Sequence, residues 1–162
     1  MPVKDLIDLV HIKGSTIECP SEMDWSTLES RGLKFPSEYK AYLRAFGTGV
    51  LADFFIVWNP FSKIDAANWF SGSEQGLKAF LECYPEYTDL LPFGHTANGD
   101  TLFWKVGEDV EQWTVAVARA APVLYTNAAL SDFLMTALTS HLYEKKLPDL
   151  TCVSRSFTPF TA

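Results

Sequence analysis

The sequence predicts a single α+β domain in which helices pack on a mixed or antiparallel β-sheet. Segments 101–106 and 113–118 alternate their apolar side chains with a period of two, as strands do. Segments 36–46 and 74–84 repeat them every three or four positions, as amphipathic helices do. A chain of 162 residues fits one domain, and 48% apolar residues are enough for a sizeable core.

The first third of the chain predicts three helices. Segment 3–12 carries an apolar stripe, and Asp24 is suited to cap a short second helix. The third helix, 36–46, begins at a proline and has an apolar face formed by Tyr39, Tyr42, Leu43 and Phe46. Gly47 follows at the position where glycine commonly ends a helix.

The rest of the chain predicts a strand, a helix, a run of consecutive strands and a last helix. The β-branched and aromatic residues of 50–58 indicate one strand, and Asn98-Gly99 indicates a tight turn between two later strands. Because strands separated by short turns pair antiparallel, these strands are expected to form one sheet. Further strands are predicted at 90–94, 101–106, 113–118 and 122–125, and further helices at 74–84 and 127–140.

The C-terminal tail, 141–162, has no clear periodicity. Phe157 and Phe160 are the candidates to dock it on the rest of the domain. The residues expected in the core are taken from the apolar faces of the predicted elements. They are Tyr42, Phe46, Phe80, Leu102, Trp104, Val115, Phe133 and Leu134.

Negative charge is concentrated in one part of the chain. The net charge is −7, from 20 acidic and 13 basic residues, and segment 82–113 contributes −6 of it, from seven acids and one base. This distribution argues against a basic phosphate-binding face and so against direct nucleic-acid binding. Two interpretations stay open: a solvated face that maintains solubility, or an acidic patch for a basic protein partner.

Two glycine-containing segments match nucleotide-binding patterns only in part. Residues 47–52 fit G-x-G-x-x-A, but a helix precedes them and a strand follows, the reverse of a dinucleotide site. Residues 94–101 have P-loop glycine spacing, but Asp100 stands where a lysine must attract phosphates. The histidines are isolated from one another and from the cysteines, so no metal site is predicted. We expect no cofactor, no metal and no catalytic residue.

The cysteines and the N-terminus indicate a cytoplasmic protein. The three cysteines contain no C-x-x-C pair, which favours reduced thiols. Asp5 and Asp8 interrupt the apolar stretch that a secretion signal needs. The longest apolar runs are far shorter than the roughly 18 residues of a membrane span, so no membrane contact is expected.

Four sequence blocks follow one another between about 24 and 140. They are FPSEYKAYLRAFGTGVL at 35–51, LLPFGHTANGDTLFW at 90–104, EQWTVAV at 111–117 and ALSDFLMTAL at 129–138. In order and spacing they resemble the SUKH superfamily, which includes a yeast cell-wall assembly regulator, Syd and many bacterial toxin-immunity proteins. The chain departs from the family pattern at Phe35, where leucine is frequent, and the tail matches no block.

The resemblance implies an α+β domain that binds another protein. Bacterial members act as immunity proteins, which bind and neutralise a cognate toxin, often a nuclease. The family's motif residues would shape turns and the core, and the resemblance transfers no partner contacts. Two alternatives stay open: an adaptor or regulatory scaffold like the cell-wall assembly regulator, and an unrecognised enzyme or small-ligand binder.

A basic toxin is expected to bind the acid-rich segment. The acids at 108–111 lie in a connection between two predicted strands, and connections lie at the surface. The expected contacts are Glu86, Asp89, Glu108, Asp109 and Glu111, with fast, salt-sensitive association. Because an exposed ion pair contributes only about 0–1 kcal/mol, an aromatic anchor is also expected, and Trp69 is the candidate.

Overall fold

Eight strands form one mixed sheet in the computed structural model, which describes residues 2–161. The strands are β1 His11–Ile12, β2 Gly49–Leu51, β3 Phe55–Val57, β4 Leu90–Thr96, β5 Thr101–Lys105, β6 Thr114–Ala118, β7 Leu124–Tyr125 and β8 Ser156–Pro159. The α-helices are α1 Pro2–Leu9, α2 Glu22–Glu29, α3 Ser37–Phe46, α4 Trp69–Cys83 and α5 Leu130–Thr139. The strand order is β1-β8-β2-β3-β4-β5-β6-β7, in which β1 and β8 pair in parallel and the other neighbours pair antiparallel. The predicted α+β class is confirmed.

Alternation along β5 separates the two faces of the sheet. Trp104 faces the main core, where its ring centroid lies 4.8 Å from that of Tyr39 in α3. Phe103 faces the opposite side and meets Phe80 of α4 at 5.0 Å. Since successive strand residues point to opposite faces, α3 and α4 lie on opposite sides of the sheet. The residues expected in the core are all buried: Tyr42, Phe46, Phe80, Leu102, Trp104, Val115, Phe133 and Leu134.

Segment 50–58 is a hairpin, so the prediction of one continuous strand was wrong. Ala52 and Asp53 both have positive φ, at 54° and 52°, and form a tight turn between β2 and β3. The N–H of Phe54 closes the turn by donating to the Leu51 carbonyl at 3.0 Å. Two successive positive φ values define the type I′ turn, whose twist matches that of paired strands.

The caps also correct three helix boundaries. Ser21 caps α2, and Asp24 lies inside the helix, where its carboxylate accepts from the Ser21 N–H at 2.7 Å in a capping box. Pro36 precedes α3 as its N-cap, and Gly47 ends it as predicted, with φ 68°. Helix α4 begins before the predicted residue 74, because the Asn68 side chain accepts from the first backbone N–H groups.

The two glycine-containing segments have structural roles. Residues 47–52 extend from the end of α3 through β2 into the turn of the β2–β3 hairpin. Residues 94–101 include the turn of the β4–β5 hairpin, where Gly99 has φ 85°. The expected order, with a helix before the first segment and strands around the second, is confirmed.

The C-terminal tail completes the sheet. Strand β8 lies between β1 and β2, which the sequence patterns did not predict, and the end of segment 3–12 forms β1 instead of helix. Phe157 is fully buried, with its ring centroid 5.1 Å from that of Phe46, as expected, whereas Phe160 is half-buried. None of the helices within residues 2–161 has the length and apolar character needed to cross a membrane.

Candidate functional site

Two acid-rich loops lie side by side at one end of the sheet. Leu90 at the start of β4 pairs with Lys105 at the end of β5, and Lys105 also pairs with Thr114 at the start of β6. The N–H of Val106 donates to the Asp89 carbonyl at 2.7 Å, which joins the two loops directly. Loops 84–89 and 106–113 therefore share one surface.

The loop 106–113 has a defined shape because its own side chains hold it. Asp109 caps a short 3-10 helix by accepting from the Glu111 N–H at 3.0 Å. The indole N–H of Trp113 donates to the Gly107 carbonyl at 3.0 Å. Glu111 reaches across to α3, where its carboxylate accepts from the N–H and the hydroxyl of Ser37 at 3.0 and 2.9 Å.

The fold adds two carboxylates that the sequence interpretation missed. Glu38 lies in the first turn of α3 and Asp132 in the first turn of α5. Burial raises the pKa of Glu38 above its ordinary value, and the nearby carboxylates of Asp132 and Glu111 raise it further. Acids are common in the first turns of helices because the helix dipole favours them. The positions of Glu38 and Asp132 in the sequence therefore did not indicate that they meet the loop 106–113.

These groups define the acidic end of the molecule. We use this term for loops 84–89 and 106–113 together with the first turns of α3 and α5. Its carboxylates are Glu38, Glu86, Asp89, Glu108, Asp109, Glu111 and Asp132. They come from four separate segments of the chain. The Val106–Asp89 hydrogen bond joins the two loops, the Ser37–Glu111 hydrogen bonds join the second loop to α3, and Glu38 in α3 lies near Asp132 in α5.

The expected partner residues differ in how available they are. Glu86 and Glu108 are exposed, and Asp89 is half-buried. Asp109 and Glu111 are exposed but already accept the hydrogen bonds that shape the loop and cap α3. Among these five expected residues, the exposed carboxylates without a hydrogen bond in the described part of the chain are those of Glu86 and Glu108.

Trp69 is not a surface anchor, which corrects the expectation. It is only 7% exposed, and its ring packs edge-on against Phe35 at 5.1 Å. Trp69 opens α4, and Asn68 directly before it caps the helix. The side chain therefore enters the main core and cannot meet a partner without unfolding.

Half-buried tyrosines lie next to the carboxylates of the acidic end, on the α4 face of the sheet. Tyr84 and Tyr87 follow α4, and Tyr125 belongs to β7. They pack around Phe80 and Phe103, and we call them the tyrosine patch: Tyr84, Tyr87 and Tyr125. Sequence reasoning missed the patch, although Tyr84 and Tyr87 flank Glu86 and could have drawn attention to an aromatic surface in the acid-rich segment.

An open cavity of about 260 Å³ with a mixed polar and apolar lining lies between α4 and the sheet. At its wall the Trp58 indole N–H donates to His95 Nδ1 at 2.8 Å, so the neutral ring carries its proton on Nε2. Burial lowers the pKa of His95, which keeps the ring neutral. The other lining residues include Asp65, Ser71, Gln75 and Thr101.

Within residues 2–161, no group of three or more His, Cys, Asp and Glu side chains is placed to hold a metal ion. No family model, curated protein or solved structure matches the chain. The resemblance to the SUKH superfamily therefore stays a prediction.

Proposed function

We propose that this protein is a cytoplasmic immunity protein of the SUKH type, which neutralises a basic protein toxin by binding it through the acidic end. The observation that carries the proposal is the convergence of seven carboxylates from four segments on one side of the domain. The two loops themselves hold five acidic residues and no basic residue. A partner that meets this surface must present positive charge.

A nuclease toxin fits this requirement. Nucleases hold phosphates with lysine and arginine side chains, so their active-site surfaces are basic. A cluster of carboxylates carries the same sign of charge as a phosphate backbone and steers fast association with a basic surface. Because hydrogen bonds already order the loop 106–113, little conformational entropy is lost when it binds.

The test has two steps. The immobilised chain first captures its partner from the native host, and the captured protein is then expressed with and without the chain. We expect that protein to be basic, to arrest growth when it is expressed alone, and to be harmless when the wild-type chain is present. The double variant Glu86→Lys, Glu108→Lys should protect poorly. The matched variant Glu74→Lys, Glu144→Lys changes exposed acids elsewhere by the same charge and should protect fully.

Two results would overturn the proposal. A captured partner that does not impair growth would favour the adaptor alternative. Equal protection by both double variants would show that toxin neutralisation does not use the acidic end.

A further inference from the structure

The tyrosine patch has a regular structural basis in the strand register. Phe103, Ala116 and Tyr125 are directly paired across β5, β6 and β7, so they form one row on the α4 face. Ala116 is small and fully buried, and the larger rings on either side close over it. Tyr84 and Tyr87 extend the row outward from Phe80, at ring distances of 5.1 and 5.7 Å.

This patch already holds one cation in the free protein. Lys105 Nζ lies 5.4 Å from the centroid of the Tyr125 ring, within the range of a cation–π contact. Asp89 lies beside the end of β5 that carries Lys105, since its carbonyl accepts from the Val106 N–H at 2.7 Å. Burial raises the pKa of Tyr125 above its ordinary value, and the Asp89 carboxylate raises it further. Aromatic faces and a carboxylate are the two groups that bind a cationic side chain.

We infer that the tyrosine patch is the anchor of the partner surface, and that it receives an arginine side chain of the basic protein. This inference rests on the proposed function. The guanidinium would stack on the tyrosine rings and pair with Asp89 or Glu86 at the border of the patch. The anchor provides the partly desolvated contact that the exposed carboxylates alone do not supply.

Arginine fits this surface better than lysine. Its guanidinium is planar, stacks on aromatic rings, and is more weakly hydrated than an ammonium group. Its planar N–H groups can also donate two parallel hydrogen bonds to one carboxylate, whereas the ammonium group of lysine acts as a point charge. Lys105 is a competitor at the Tyr125 ring, so its removal should vacate the ring face and lower the like-charge repulsion toward an incoming arginine.

The experiment uses the full chain and two synthetic probes, an arginine–glycine peptide and the lysine–glycine peptide of the same length. Tyrosine ring resonances are followed by NMR. We expect the arginine peptide to bind more tightly, to shift the rings of the tyrosine patch, and to leave the buried rings of Tyr39 and Tyr42 unchanged. Tyr87→Leu should weaken binding about two- to five-fold, the effect of one exposed cation–π contact, while Tyr87→Phe should bind like the wild type.

Lys105 gives a second, independent variant. Lys105→Met should tighten binding of the arginine peptide more than the charge-matched Lys145→Met, which changes an exposed lysine in the tail. Equal affinity for the two peptides, or no effect of Tyr87→Leu and Lys105→Met beyond their controls, would overturn the inference.

The two proposals fail in different ways. If the arginine peptide does not shift the tyrosine rings but co-expression still protects cells, the anchor is wrong and the immunity function stands. If the peptide binds as expected and no captured protein is toxic, the patch recognises arginine in another kind of partner.

Discussion

Glu111 caps helix α3 from a position 74 residues away in the chain, by accepting hydrogen bonds from the N–H and the hydroxyl of Ser37 at 3.0 and 2.9 Å. The N-cap residue itself, Pro36, makes no side-chain hydrogen bond to the helix. Glu111 therefore satisfies a backbone N–H that the local sequence leaves open. The same contact fixes the loop 106–113 against the domain and so orders the acidic end.

Glu111→Ala should destabilise the protein. Loss of a capping carboxylate costs about 1 kcal/mol, which corresponds to roughly 2–4 °C in the melting temperature of a domain of this size. Glu108→Ala removes the same charge from the same loop without breaking a cap, and should leave the melting temperature unchanged. Equal melting temperatures for the two variants, measured by circular dichroism, would contradict a capping role.

Glu38→Gln should stabilise the protein at neutral pH. Burial raises the pKa of Glu38 in the folded state, so between its unfolded and folded pKa values the folded protein binds more protons. Stability contributed by Glu38 is therefore present at low pH and is lost as the pH rises through the folded pKa. The neutral amide of the variant does not ionise, so the variant avoids this loss. At low pH the Glu38 carboxyl of the wild type is also neutral, so ionisation at this position contributes no stability difference between the two proteins.

Urea unfolding at about pH 4 and about pH 7 checks this expectation. The stability difference between Glu38→Gln and the wild type should move in favour of the variant as the pH rises. Asp132→Asn removes a neighbouring like charge and should shift stability in the same direction. A difference that does not change with pH would show that the Glu38 carboxyl is not perturbed.

Local patterns predicted the elements whose residues repeat at a clear period. The apolar stripe of α3 and the alternating apolar residues of β5 and β6 predicted residues of the main core correctly. Tyr42, Trp104 and Val115 are all buried. The β2–β3 turn was missed because its positive-φ residues, Ala52 and Asp53, are neither glycine nor asparagine. Strand β8 was missed because its short segment is ordered by pairing with distant strands.

The candidate site was predicted as a segment but not as a surface. The charge count identified loops 84–89 and 106–113, whereas Glu38 and Asp132 join them only through tertiary packing. Exposure of an aromatic residue depends on the helix boundary and on what packs against it. Trp69 was expected at the surface, but it opens α4 and packs on Phe35.

Phe157→Ala should destabilise the protein strongly. Phe157 is fully buried in β8, the strand that joins β1 to β2, and its ring packs on Phe46. Truncation of a buried phenylalanine costs about 3–5 kcal/mol, because transfer energy is lost and a cavity remains. Phe160→Ala, at a half-buried position in the same tail, should cost clearly less in urea unfolding. Similar losses for both variants would mean that the tail does not pack as described.

Charge reversal at the acidic end should slow binding of the captured toxin. Glu86 and Glu108 are the positions to change, because they are exposed and their side chains make no hydrogen bond or ion pair within residues 2–161. Asp109 and Glu111, in contrast, maintain the loop and the α3 cap. Long-range attraction acts before the proteins touch, so the effect belongs to the association rate. The double variant Glu86→Lys, Glu108→Lys should associate about tenfold more slowly at low salt, with a smaller change in dissociation.

Salt dependence separates steering from damage to the fold. Surface charges are largely screened beyond about 10 Å at 0.1 M ionic strength, so the two association rates should converge as salt is added. The matched variant Glu74→Lys, Glu144→Lys carries the same net charge on other surfaces and should lose much less of its rate. Stopped-flow measurement over a range of salt concentrations tests both points.

If the Glu86, Glu108 variant and the wild type associate equally fast at low salt, the acidic end is a solvated surface. Binding of a basic toxin must then use another face of the domain.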